Sequence, residues 1–262
     1  MLDSPSSPEC QLTHRFISAV CAACLICLTG AGATSEITAE DLIARMIDQS
    51  RGLSSYSELS MTVNRPQWQR TSSFNVLTRG REDALIRFTA PAKDAGNATL
   101  KVGDTMWTYS PKIRRAVRLP KSMMSQEWAG SDFSYNDLAR SDKLLAYYRH
   151  DIVDQTEEDG LITSTIESVP IENAPVVWGK ERIVFRSDNV LLEQTFFDQA
   201  MQPVKAMHAF EIQELGGRML AKRMRMSDLE RPDRWTEVEY ETIEFDVAID
   251  DRSFTQFALR GE

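Results

Sequence analysis

Beyond residue 27 the sequence contains no cysteine, which removes a disulfide framework, a thiolate zinc centre and a cysteine nucleophile from the rest of the chain. Histidine is almost as scarce. His14, His150 and His208 stand apart from one another, and none belongs to a His-x-x-x-His pair. No metal centre and no cofactor is expected. The sequence also lacks a Gly-x-Ser-x-Gly elbow, a phosphate-binding glycine loop and a dinucleotide fingerprint. An enzyme is therefore not expected. Positive charge is in deficit: 30 Lys and Arg stand against 39 Asp and Glu, for a net charge of -9 and a pI near 5.0. Such a chain gains no counterion-release energy on a polyphosphate, so nucleic acid is excluded as a partner. Linkers, low-complexity tracts and repeats of roughly 20–50 residues are missing too, which favours one domain.

The four cysteines that do occur, Cys10, Cys21, Cys24 and Cys27, crowd into an apolar N-terminal stretch. No charge interrupts Phe16 to Leu28, His14 and Arg15 precede the run, and Ala31-Gly32-Ala33 supplies small residues at a cleavage position. This pattern is that of a secretory signal cut near Ala33, leaving residues 34–262 as a cysteine-free exported domain. The run is short for a membrane span, and no lipoprotein motif leads up to a cysteine, so the product is expected to be periplasmic, soluble and monomeric. An uncleaved anchor is the alternative.

The whole sequence has 42% hydrophobic residues, enough for a sizeable core, and beyond residue 33 its periodicity is mostly that of strands. One helix is expected first: Thr38-Ala39-Glu40-Asp41 resembles a capping box, and Leu42, Ile43, Met46 and Ile47 recur at helical spacing until Gly52. Alternation then marks Leu59–Val63, Phe74–Leu77, Ala84–Phe88, Met106–Tyr109 and Ile113–Leu119. From Ile152 onward it continues as a meander with turns at Gly160, Asp188-Asn189 and Gly216-Gly217. In the last segment Val238 and Tyr240 fall out of phase with Ile243, Phe245 and Val247, which calls for a bulge near Glu241-Thr242. Ten or eleven strands without a βαβ rhythm give one antiparallel sheet, which has to curl into a barrel or half-barrel.

Two stretches stand out. Lys112, Arg114, Arg115, Arg118 and Lys121 form a basic group among Ile113, Val117 and Leu119 in an otherwise acidic chain. It reads either as a solvated strand face or as a contact for anionic head groups or an acidic partner. Between Lys121 and Tyr148 the alternation disappears, and short helices on loops are expected there, with Ser134 capping Tyr135–Arg140. Met123, Met124, Trp128, Phe133 and Tyr135 in this stretch are either ordinary core or a movable lid that repacks around apolar ligands. Asp132-x-Ser134-x-Asn136 has the oxygen spacing of a calcium loop, but Asp137 and Lys143 occupy positions that need glycine and glutamate. Asp132 and Asp137 as an acid/base pair would support a hydrolase, although nothing supplies a nucleophile.

The run Trp107-Thr-Tyr109-Ser-Pro111, then Arg114-Arg115 and Arg118, then Trp128-Ala-Gly130-Ser131-Asp132-Phe133-Ser-Tyr135-Asn-Asp137-Leu138, resembles the outer-membrane lipoprotein-sorting protein family, the LolA-like periplasmic proteins. Arg87-Phe88, Pro91 and Gly96 upstream, and Phe197-Asp198, Gly217-Arg218, Arg223-Met224 and Phe254-Thr255 downstream, follow the family's order. Asn97 and Asn136 depart from it. The resemblance implies an unclosed β-barrel with a short-helix lid over an apolar cavity, one that holds lipid or lipoprotein acyl chains in transit between the inner and outer membranes. It also implies an inner-membrane transporter as partner, of the ABC type or the proton-driven RND type. On this reading Trp107, Tyr109, Met123, Met124, Trp128, Phe133 and Tyr135 are the candidate cavity or lid residues, and Arg114, Arg115 and Arg118 the candidate head-group or partner contacts. The same fold used as an envelope-stress sensor or an exporter's accessory protein is the alternative.

Overall fold

The computed structural model describes residues 37–261. The signal-peptide expectation falls on residues outside that range. Helix α1 (Ala39–Arg51) starts on the expected capping box: Thr38 Oγ1 accepts from the Asp41 amide at 3.1 Å, and the Asp41 carboxylate accepts from the Thr38 amide at 3.1 Å. It stops at Gly52, whose φ of 63° suits a residue without a Cβ. The apolar stripe Ile43, Met46 and Ile47 is buried.

Thirteen strands follow: β1 (Ser54–Arg65), β2 (Trp68–Arg79), β3 (Asp83–Ala90), β4 (Ala98–Val102), β5 (Thr105–Ser110), β6 (Arg115–Arg118), β7 (Tyr148–Glu158), β8 (Leu161–Pro170), β9 (Lys180–Arg186), β10 (Leu191–Phe197), β11 (Pro203–Leu215), β12 (Arg218–Asp228) and β13 (Trp235–Phe245). They make one antiparallel sheet in the order β6-β5-β4-β3-β2-β1-β13-β12-β11-β10-β9-β8-β7. Two meanders of sequence neighbours are joined by a single long-range seam, β1 against β13. The sheet is not closed; β6 and β7 are its edges. The chain between them, residues 119–147, must therefore run from one edge to the other, and this segment is the lid. It carries a 3-10 turn (Lys121–Met123), α2 (Tyr135–Leu138) and α3 (Arg140–Tyr147).

Lid side chains reach β1 through Asp132, β11 through Asp137, β9 through Arg140 and β4 through Asp142, which is possible only because the sheet wraps around them. α1 lies on the same concave side, its stripe packed on Leu144, Tyr148, Ile166, Ile183 and Phe185. The convex side of β3–β5 is covered instead by the C-terminal segment, a 3-10 turn (Asp251–Phe254) and α4 (Gln256–Arg260), which place Phe254 and Leu259 on Leu85, Ala98 and Leu100.

The bulge lies where the phase break required it. Glu58 faces Thr242 and Leu59 faces Tyr240, so Glu241 is the extra residue, and Val238, Tyr240 and Ile243 all reach the concave side. The strand count exceeds the expectation mainly through β4, whose Ala-Thr-Leu-Lys-Val sequence is almost wholly buried and so shows no alternation. Ile113 and Arg114 belong to the β5–β6 turn rather than to a strand, with Arg114 at φ 49°. Among the described residues no helix is long and apolar enough to cross a membrane.

Candidate functional site

The Gly130–Leu138 stretch is where sequence becomes lid geometry. The Ser131 hydroxyl donates to the Trp128 carbonyl at 2.7 Å, folding the loop back on itself. Asp132 accepts from Arg65 at 2.9 Å and from the Thr236 hydroxyl at 2.6 Å, tying the loop to the β1–β13 seam. Ser134 caps α2 reciprocally with Asp137, and the Asp137 carboxylate also takes the Lys205 ammonium at 2.6 Å. Lys205 sits over the rings of Trp178 and Phe196 at 4.9 and 5.0 Å. Arg140 meets Glu181 at 2.8 Å, and Lys101 meets Asp142 at 3.1 Å. Four largely buried ion pairs thus pin the lid to four different strands. Asp132 and Asp137, the acid/base candidates, are both consumed as lid anchors.

The electrostatics follow from burial. Glu181 is fully enclosed, and burial raises its carboxyl pKa against the opposing pull of Arg140. Burial, helped by the charge of Glu181, likewise pushes the neighbouring Tyr148 phenol up. Burial lowers the Lys101 ammonium, and Asp142 restores part of the loss. His150, which bridges Ser168 at 2.7 Å and the Leu144 carbonyl at 3.1 Å, is lowered by burial.

Two adjoining, mostly apolar cavities lie under α1, the second also against the lid. One of about 310 Å³ lies between α1 and strands β1, β2 and β10–β13, with Leu59, Leu220, Met224 and Ile243 among its walls. The second, of about 230 Å³, is bounded by Phe133, Leu138, Leu144, Phe196 and Met226. Met46, Ile47 and Met207 line both. A third space of about 450 Å³ is an open cleft at the β6 edge, lined by Arg70, Phe88, Thr99, Arg115, Val117 and Trp128 among others.

The structure parts the candidate residues. Trp128 is buried, its indole donating to the Thr99 hydroxyl at 3.1 Å and its ring 5.7 and 5.3 Å from those of Phe74 and Phe88. It and Tyr135 border the open cleft, and burial raises the Tyr135 phenol. Phe133 borders the 230 Å³ cavity. Met123 and Met124 pack against Met106, Leu119 and Ala139 under the start of the lid. Trp107 and Tyr109 point to the convex side, because they face Arg118 and Ala116 and pack with Leu100 and Ala98 around Phe254; Tyr109 also edges the open cleft. Of the three arginines only Arg115 lines the cleft. Arg118 is on the opposite face, 3.4 Å from the Thr105 hydroxyl, and Arg114 is at the hairpin tip. Sequence reasoning missed the cavity walls on α1 and β10–β13. A signal was present: Met224 and Met226 share one face of β12, and Met207 lies directly opposite Met226.

A family model described as "Uncharacterized protein" matches residues 80–261. No curated protein matches the chain. Among solved structures, a DUF1329 family protein from Desulfovibrio piger superposes with a TM-score of 0.76 at 24% identity, covering 84% of this chain and 97% of the other. A putative outer membrane lipoprotein-sorting protein domain from Vibrio parahaemolyticus gives 0.73 at 19% identity, with 83% and 97% covered. A LolA superfamily protein from Nitrosomonas europaea gives 0.71 at 18% identity, with 85% and 100% covered. The chain belongs to the family of the model that spans residues 80–261, and its fold is the unclosed, lidded barrel of the LolA-like lipoprotein-sorting proteins.

Proposed function

We propose that the protein is an exported, non-enzymatic carrier that shelters the acyl chains of a lipid or lipoprotein while they cross the periplasm. The observation that carries this reading is the pair of adjoining methionine-lined cavities, about 310 and 230 Å³, between α1 and the concave strands, the smaller one also bounded by the lid. An acyl chain loses about 0.8 kcal/mol for each methylene left in water, so crossing an aqueous space requires an apolar shelter. Methionine suits that task because its unbranched thioether repacks around chains of different length. Each cavity is near or below the lower end of ordinary ligand sites, roughly 300–1,000 Å³, so loading involves displacement of the lid or of α1. A membrane partner that binds the displaced state more tightly drives loading or release, and an inner-membrane transporter of the ABC or RND type fits that role. The mature carrier then comprises residues 34–262, with residues 1–33 as its export signal.

The test is mass spectrometry of the organic extract from protein purified natively from the periplasm. A lipid present in stoichiometric amount, and lost when Met207 and Met226 are both replaced by charged residues, is the expected result. An extract that stays empty after incubation with membrane lipids overturns the carrier reading.

A further inference from the structure

The open cleft at the β6 edge differs in kind from the inner cavities. Its floor is formed by Phe88 and Trp128, which pack on Phe74 in the same core cluster as Leu59, Met61 and Val63. Its walls combine apolar surface (Phe88, Val117, Trp128) with two guanidinium groups, Arg70 and Arg115. Neither has a carboxylate partner. Arg70 donates to the Ala129 carbonyl and lies 5.8 Å from the Trp68 ring, while its Nε is buried without an acceptor. The Arg115 side chain has no partner at all among the described residues. One acid, Asp94, also lines the cleft, and it pairs with neither arginine.

The surroundings add to this excess. From Thr105 to Gln126 there is no acidic residue, and Lys112 and Arg114 flank the exposed tip at Ile113. In a chain of net charge -9 this is a localised positive field bordering an apolar floor. The buried Arg70 Nε without an acceptor is a cost that an added acceptor removes, the exposed Arg115 guanidinium is free to turn to a ligand, and the planar fork of arginine matches phosphate and carboxylate.

We propose that this cleft binds the anionic head group of an acidic amphiphile, with Arg70 and Arg115 on the oxyanion and Phe88, Val117 and Trp128 against the first part of its alkyl chain. The assignment rests on the carrier reading and narrows it to cargo whose head group is a phosphate or carboxylate. The volume of about 450 Å³ accommodates a head group and a short length of chain.

Binding of dodecyl phosphate, dodecyl maltoside and inorganic phosphate to the delipidated mature chain tests it, read by calorimetry and by tryptophan fluorescence. Dodecyl phosphate is expected to bind saturably. Arg115→Gln should weaken it about tenfold, the value of one charge-assisted hydrogen bond. Arg118→Gln, on the opposite face, should leave it unchanged, and maltoside binding should not respond to Arg115→Gln. Equal binding of dodecyl phosphate by the wild type and Arg115→Gln overturns the proposal, as does binding to neither. Inorganic phosphate bound as tightly as dodecyl phosphate overturns the amphiphile assignment. Failure here with maltoside still bound and lipid still in the native extract leaves the carrier reading standing; loss of all three removes the carrier reading itself.

Discussion

Lys205 shows how much one side chain can be asked to do. Its ammonium is held between two aromatic rings and the Asp137 carboxylate, so removal of that carboxylate strands a buried charge. Asp137→Asn is expected to destabilise the fold by about 3–5 kcal/mol and to raise amide exchange through α2 before the rest of the sheet, measured by urea unfolding and hydrogen exchange. Glu181 gives a prediction in pH. Its folded pKa is raised, by burial first, so the native state holds that proton more firmly than the unfolded chain. The associated stability is complete below the ordinary carboxylate range and is lost as pH rises through the elevated folded value. Glu181→Gln should flatten that slope in unfolding midpoints measured from the ordinary carboxylate range upward. His150 works in the other sense: burial lowers it, so its contribution is present above the ordinary imidazole value and falls as pH drops through the folded one.

Turns and bulges hold the elements in register. In the β11–β12 hairpin Gly216 has φ 58°, and a Cβ there would come within 2.7 Å of the Ile243 carbonyl oxygen, whereas Gly217 at φ 79° faces open space. Gly216→Ala should therefore cost the left-handed penalty of about 1–2 kcal/mol plus about 1–3 kcal/mol of crowding, and Gly217→Ala only the former, as thermal unfolding would show. Legibility from sequence followed the same physics. α1 could be read because its capping box and its 3.6-residue stripe are local, and the Glu241 bulge because a one-residue phase slip exposes itself in any alternating strand. β4 could not be read, since burial on both faces erases alternation. The lid motif was legible as a loop with a cap, but its ion pairs join residues as distant as Arg65 and Asp132 or Asp137 and Lys205, and nothing local announces them. The face of Trp107 was equally hidden: the register of β5 against β4 and β6, not the residue type, turns it away from the lid.

At the scale of the described molecule, charge is sorted to the two sheet edges. β6 carries Arg115 and Arg118, while β7 exposes Asp151, Asp154, Glu157 and Glu158. Charged residues on an open edge discourage strand addition by other chains, so the protein is expected to remain a monomer across a wide concentration range in equilibrium sedimentation, and neutralising the four β7 acids should produce association. The seam has a consequence in time. Every pairing joins neighbours in sequence except that of β1 with β13, where Leu59 faces Tyr240 across most of the described chain. Each meander can zip up by local hairpins as it emerges, yet the two halves stay unjoined until the last strand arrives, and closing so long a loop is entropically slow. Replacing Met61 or Val238, which face each other across the seam, by alanine should slow refolding more than an equally destabilising change in the β7–β8 hairpin, as stopped-flow measurements would show. A chain delivered N-terminus first thus spends its early life as an open sheet with an exposed greasy face, and its own last strand is what ends that exposure.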